Sequence, residues 1–301
     1  MKYQLFITAV IAGFSMAHTV IAAAAMDPVR IEASLVSPSR ITLGEPLLIR
    51  YKFVSVSSKN VIVDVDPYVT DWYTFSMSDS MGHVVTEIPG SRPVRPGGAY
   101  GVDAGALDKR GKETSGYIVA TRYLAIKHPG KYTLTVHVGM PCSLPDGAPD
   151  DFQFHGVIVK QDFSFPLEIE PVDPKRLRNT AEALRHATIM EHDKVLAQAE
   201  LGALFSMPET QAASSWRDLA FQPGINTGPI EDELVNRRSA TAIDILFEMR
   251  DISGSNWICS QANLHKMYYA VTPELQARMK TLAGLHKIPV VDLIGGPIRV
   301  D

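Results

Sequence analysis

At Pro171-Val172-Asp173-Pro174 the period of the hydrophobic pattern changes, and that change restricts the chain to a fold in two parts. Before it, apolar residues recur at every second position. After it, they recur at every third or fourth. A period of two sends side chains to alternate faces of a strand, whereas a period near 3.6 gathers them on one side of a helix. A segment patterned for one cannot settle as the other. Asp173 followed by Pro174 is also a good helix start: the Asp side chain accepts from first-turn amides, and proline needs no amide partner there. The pattern predicts a β domain over residues 26–171, a helical domain over 172–287 and a tail over 288–301.

In the first half, Ile49, Tyr51 and Phe53 alternate with Arg50 and Lys52, which marks a half-buried strand over Leu47–Val54. Further strands are predicted at Arg30–Leu35, Val61–Val63, Trp72–Met77, His83–Val85, Tyr117–Leu124, Lys131–Val138 and Gln161–Ile169. Seven or eight strands divided by turns are the pattern of a β-sandwich. Thirteen of the 20 prolines lie in this half, as many loops and edge strands require. Residues 88–116 and 139–156 read as long loops rich in Gly and Pro. On strand Trp72–Met77, the adjacent Trp72 and Tyr73 should point to opposite faces, which would leave one of them exposed.

In the second half, Leu177, Ala181, Leu184 and Thr188 fall at helical spacing, and so do Val195, Leu196, Ala199, Ala203 and Leu204. About six helices are expected, with Ile230 to Phe247 read as one helical stretch. Short helices joined by short turns form a bundle or a short solenoid.

The N-terminus, MKYQLFITAVIAGFSMAHTVIAAAA, places Lys2 before an apolar run that ends in small residues. This is the pattern of a secretory signal cleaved after about Ala25. The competing reading is an uncleaved anchor, since ~20 apolar residues can span a bilayer. Cleavage gives a mature form that does not span a membrane and is periplasmic or extracellular. In an oxidising compartment Cys142 and Cys259 are a candidate disulfide, worth about 4–5 kcal/mol by loop entropy. The alternative is two buried thiols. The formal net charge of −4 is spread over both halves, which argues against nucleic acid as partner.

Two stretches carry a resemblance. Ile41-Thr42-Leu43-Gly44-Glu45-Pro46-Leu47, with Trp72–Phe75 and Pro129-Gly130-Lys131-Tyr132-Thr133-Leu134, resembles immunoglobulin-like sandwich modules of exported bacterial proteins, of the proteinase-inhibitor and macroglobulin-like types. Ala197–Met207, followed by Pro208-Glu209, Ala213 and Leu219, resembles a HEAT-type repeat unit. The resemblance implies an immunoglobulin-like antiparallel β-sandwich followed by a HEAT-like helical domain. It carries over no catalytic residue.

The common catalytic fingerprints do not occur. There is no Gly-x-Ser-x-Gly elbow, His-Glu-x-x-His helix, Cys-x-x-Cys pair, phosphate loop or dinucleotide fingerprint, and no cofactor is expected. A Ser, His and Asp set can be assembled from any chain of this size and has no specificity. The best metal candidates are Asp64, Asp66 and Asp71, because hard cations need clustered oxygen ligands. The run lacks the glycine and closing glutamate of a calcium loop, so a solvated strand end explains it more simply. His186 and His192 lie six apart and do not share a helix face. His128, His137 and His155 converge only if folding brings them together. The functional expectation is an exported non-catalytic protein that binds another protein or an envelope component. Two alternatives are an inhibitor of extracytoplasmic proteases, using loop 88–116 or 139–156, and an unrecognised hydrolase.

Overall fold

A computed structural model describes residues 28–57, 61–64, 72–88, 104–107, 111–143, 156–253, 257–288 and 293. They divide into two compact units, residues 1–173 and 174–301.

The first unit holds two sheets. In one, β1 (Val29–Leu35), β3 (Leu48–Ser55) and β8 (Glu113–Val119) lie in the order β1-β3-β8. The other is built on two long strands, β9 (Gly130–Ser143) and β10 (Gly156–Glu170), paired antiparallel along their length. β2 (Arg40–Thr42) adds to β10. β5 (Tyr73–Asp79) pairs with the first half of β9, and β4 (Val61–Asp64) with its end. β6 (Val84–Val85) extends β5, and β7 (Ala104–Leu107) extends β4. The pairing is antiparallel except for β2, which runs parallel to β10.

The period-two pattern does what its physics requires. Ile49, Tyr51 and Phe53 face inward from β3, and Leu134, Val136, Val138 and Met140 face inward from β9. Both sheets contribute to one hydrophobic core. At its centre the Tyr51 and Phe53 rings meet the edge of Trp72, with centroids 5.0 and 5.7 Å away.

The Gly44-Glu45-Pro46 turn is a fastening. Gly44 takes φ 101°, a region that favours glycine, and lets the chain fold back so that the buried Glu45 carboxylate accepts from the Thr42 amide at 2.8 Å. The buried Thr42 hydroxyl donates to the Pro171 carbonyl and accepts from the Asp173 amide. One side chain thereby ties β2 to the segment that leaves β10.

Several expectations need correction. Trp72 and Tyr73 are both buried, because Trp72 precedes β5 and is not bound by the alternation of the strand. The two expected loops carry strand: β7 and the start of β8 lie within 88–116, and β9 and β10 extend into 139–156. The strand expected over Tyr117–Leu124 stops at Val119 and turns through a single 3-10 turn, Ala120–Arg122.

The second unit has seven helices among the described residues: α1 (Pro174–Met190), α2 (Lys194–Ser206), α3 (Glu209–Ala220), α4 (Gly228–Arg237), α5 (Ala240–Ser253), α6 (Trp257–Ala270) and α7 (Pro273–Leu285). The one stretch expected from Ile230 to Phe247 is two helices. Arg238 adopts the left-handed conformation and ends α4, and the Ser239 hydroxyl accepts from the Ala242 amide to begin α5. Asp193 caps α2 through the Val195 and Leu196 amides. Each helix packs on the next but one: α1 on α3, α3 on α5, α5 on α7, and likewise α2 on α4 and α4 on α6. Trp216 is fully buried among them, stacked on Phe205 at 5.0 Å, and its indole N–H donates to the Leu204 carbonyl.

Candidate functional site

The inward faces of β5, β9 and β10 are committed to the core, so the chemistry of this sheet lies on its outer face. There the alternate positions are polar: Thr74 and Ser76 on β5, Thr133, Thr135 and His137 on β9, Asp162 and Ser164 on β10. The register sets who meets whom. His137 stands directly opposite Asp162, and Thr135 stands opposite both Ser76 and Ser164. Ser76 is therefore a diagonal neighbour of His137, a separation that a long side chain can bridge.

The side chains connect accordingly. His137 Nδ1 lies 3.0 Å from Asp162 Oδ1, and His137 Nε2 lies 2.9 Å from Ser76 Oγ. The Thr135 and Ser164 hydroxyls are 3.0 Å apart. A carboxylate only accepts, so the proton of a neutral imidazole belongs on Nδ1, which leaves Nε2 to accept from the serine hydroxyl. The result is a Ser76–His137–Asp162 relay across three strands, open to solvent: the His137 and Asp162 side chains are 41% and 64% exposed.

Four to six residues away, toward the start of β9 and the end of β10, roughly 13–20 Å at strand rise, the same face ends in an open concavity of about 400 Å³. Arg40, Ser80, Lys131, Thr133, Pro166 and Glu168 line it. Arg40 donates to the Glu170 carboxylate, which holds the guanidinium pKa above its ordinary value. At the nearby turn, the hydrogen bond from His83 holds the Asp79 carboxyl below the usual carboxylate range.

No protein-family model matches the chain, and no curated protein matches it. The solved structures that it resembles include macroglobulin and PapD-like domains. One is an alpha-2-macroglobulin mutant from Salmonella, at 9% identity over 90% of this chain and 24% of that chain, TM-score 0.26. A second is the C-terminal portion of alpha-2-macroglobulin from Escherichia coli, at 9% identity over 87% of this chain and 55% of that one, TM-score 0.26. A third is the PapD-like domain of human CEP192, at 13% identity over 53% and 97%, TM-score 0.21. The chain thus spans a quarter to about half of the macroglobulin structures. Likenesses this low leave function to the chain's own residues.

The residues singled out from sequence fare differently. Of the metal candidates, Asp64 ends β4, with its side chain outside the described set, and Asp66 and Asp71 lie outside the described residues. Among the described residues no group of three or more His, Cys, Asp or Glu is placed to hold a metal ion. Cys142 is buried on β9, where its thiol donates to the Met140 carbonyl at 3.7 Å. Cys259 lies on α6, and its side chain is outside the described set. His186 and His192 are exposed, His128 is exposed, and His155 lies outside the described residues. Among the described residues no helix is long and apolar enough to cross a membrane, while the N-terminal segment lies outside them.

Sequence reading missed the relay. The alternation on each strand predicts that Ser76, His137 and Asp162 face away from the core. Only the register between strands shows that they meet.

Proposed function

We propose that the chain is an exported binding protein of the bacterial cell envelope, with an immunoglobulin-like sandwich followed by HEAT-like repeats. On this reading the outer face of the β5–β9–β10 sheet engages another protein or an envelope component. The observation that carries the reading is the face itself. Its hydroxyl, imidazole and carboxylate groups sit on rigid strands and are oriented by their own cross-strand hydrogen bonds, so little side-chain freedom is lost when a polar partner docks. The two sheets around one core support the sandwich. The stacking of each helix on the next but one supports repeats, since a solenoid builds two such layers. The basic start and apolar run of the N-terminal segment support export.

The test is sedimentation of the purified full chain with washed bacterial envelope, before and after protease treatment of the envelope. Saturable co-sedimentation is expected. A chain that stays in the supernatant at every envelope concentration contradicts the proposal. Cell fractionation with N-terminal sequencing tests export, with a mature start after about Ala25 expected.

A further inference from the structure

We infer that Ser76 is an activated nucleophile that accepts an acyl or phosphonyl group from activated esters, with His137 as its general base and Asp162 as the residue that positions the imidazole. This goes beyond binding and stands on separate observations. A serine hydroxyl is a weak nucleophile unless a base is within hydrogen-bond reach, and that base needs a third group to fix its tautomer. Both requirements are met here: Ser76 Oγ is 2.9 Å from Nε2, and Nδ1 is 3.0 Å from Asp162. The three residues come from three paired strands, so the backbone that carries them is rigid. Ser76 faces solvent and is open to attack a substrate.

The same geometry limits the chemistry. The backbone around Ser76 is engaged in the β5–β9 ladder, so hydroxyl groups of the face and water must stabilise a developing oxyanion. Reactive esters suit such a site better than amides. In the acyl transfer, the Ser76 Oγ–carbon bond forms as the hydroxyl proton passes to His137 Nε2. The bond to the leaving oxygen then breaks, and that oxygen departs with the electron pair and takes the proton from Nε2. Water repeats the sequence on the acyl-serine, releases the acid and restores Ser76.

A biotinylated fluorophosphonate is the probe. Its serine adduct forms an Oγ–phosphorus bond and expels fluoride, and the proton again passes to His137. The full chain is incubated with the probe and digested, and the adduct is located by mass spectrometry. A single adduct on Ser76 is expected, with Ser164 on the same face as the internal reference. His137→Gln should slow labelling about 100-fold, the usual worth of a general base. Asp162→Asn should slow it as well, and Asp162→Glu should restore part of the rate, which a purely structural role would not show. Labelling of Ser76 no faster than Ser164 in the unaltered chain overturns the inference, and so does a rate indifferent to His137→Gln. Neither result depends on envelope binding, so the two proposals fail independently.

Discussion

The Tyr51 ring lies across Gly116, in the space that a β-carbon at position 116 would fill. A β-carbon there would sit 2.1 Å from the Tyr51 hydroxyl oxygen and 2.4 Å from its ring carbon Cζ. The two residues are register partners on β3 and β8, and the absence of a side chain at 116 lets the tyrosine reach Trp72. Gly116→Ala should displace the ring and destabilise the first unit by about 1–3 kcal/mol, as overpacking does. Urea unfolding measures it, and Tyr51→Leu in the same chain should recover part of the loss by removing the clash.

Glu200 on α2 gives the second unit a pH dependence. Burial pushes its carboxyl up to about 7, and the neighbouring negative charge of Glu191 adds to the effect. Its Oε2 is buried and finds no hydrogen-bond partner among the described residues. An acid with a raised folded pKa favours the folded state in its protonated form. Its contribution is fully present below pH 4.5 and is lost as the pH rises through about 7. Denaturant midpoints at pH 5 and pH 8 should therefore fall more for the unaltered chain than for Glu200→Gln.

Glu231 and Asn263 form a buried polar contact between α4 and α6, with Nδ2 donating to Oε2 at 3.0 Å. Asn263→Leu removes the donor to Oε2, while the Thr227 hydroxyl still reaches Oε1 at 3.4 Å. A loss of about 1–3 kcal/mol is expected, the usual cost of taking a hydrogen-bond partner from a buried polar group. Chemical denaturation followed by Trp216 fluorescence would register it. Thr42→Val should cost a similar amount, since it removes the hydroxyl that donates to the Pro171 carbonyl and accepts from the Asp173 amide.

The β and α halves were legible because each leaves a pattern within a single segment. β3 and β9 are clean alternations, and Asp173-Pro174 is a local helix start. Trp72 misled because alternation predicts a face only inside a strand, and Trp72 stands one residue before one. β7 was missed because Ala104-Gly105-Ala106-Leu107 has little β propensity, and its pairing with β4 is what holds it extended. The break at Arg238 left no signal, because a left-handed arginine carries no glycine to mark it. The relay stayed hidden for a related reason. Ser76, His137 and Asp162 lie on three strands far apart in sequence, and only strand register fixes their meeting.

Binding through the outer face of the β5–β9–β10 sheet is decided by the affinity of one variant. Thr133→Lys with Thr135→Lys places two long charged side chains on that face without touching the core. Titration of washed envelope with the unaltered chain, this variant and an Arg50→Ala control on the other sheet gives three apparent Kd values. At least a tenfold loss is expected for the double variant, about 1.4 kcal/mol, and none for the control. Equal affinity of the double variant and the unaltered chain would rule out this face as the binding surface.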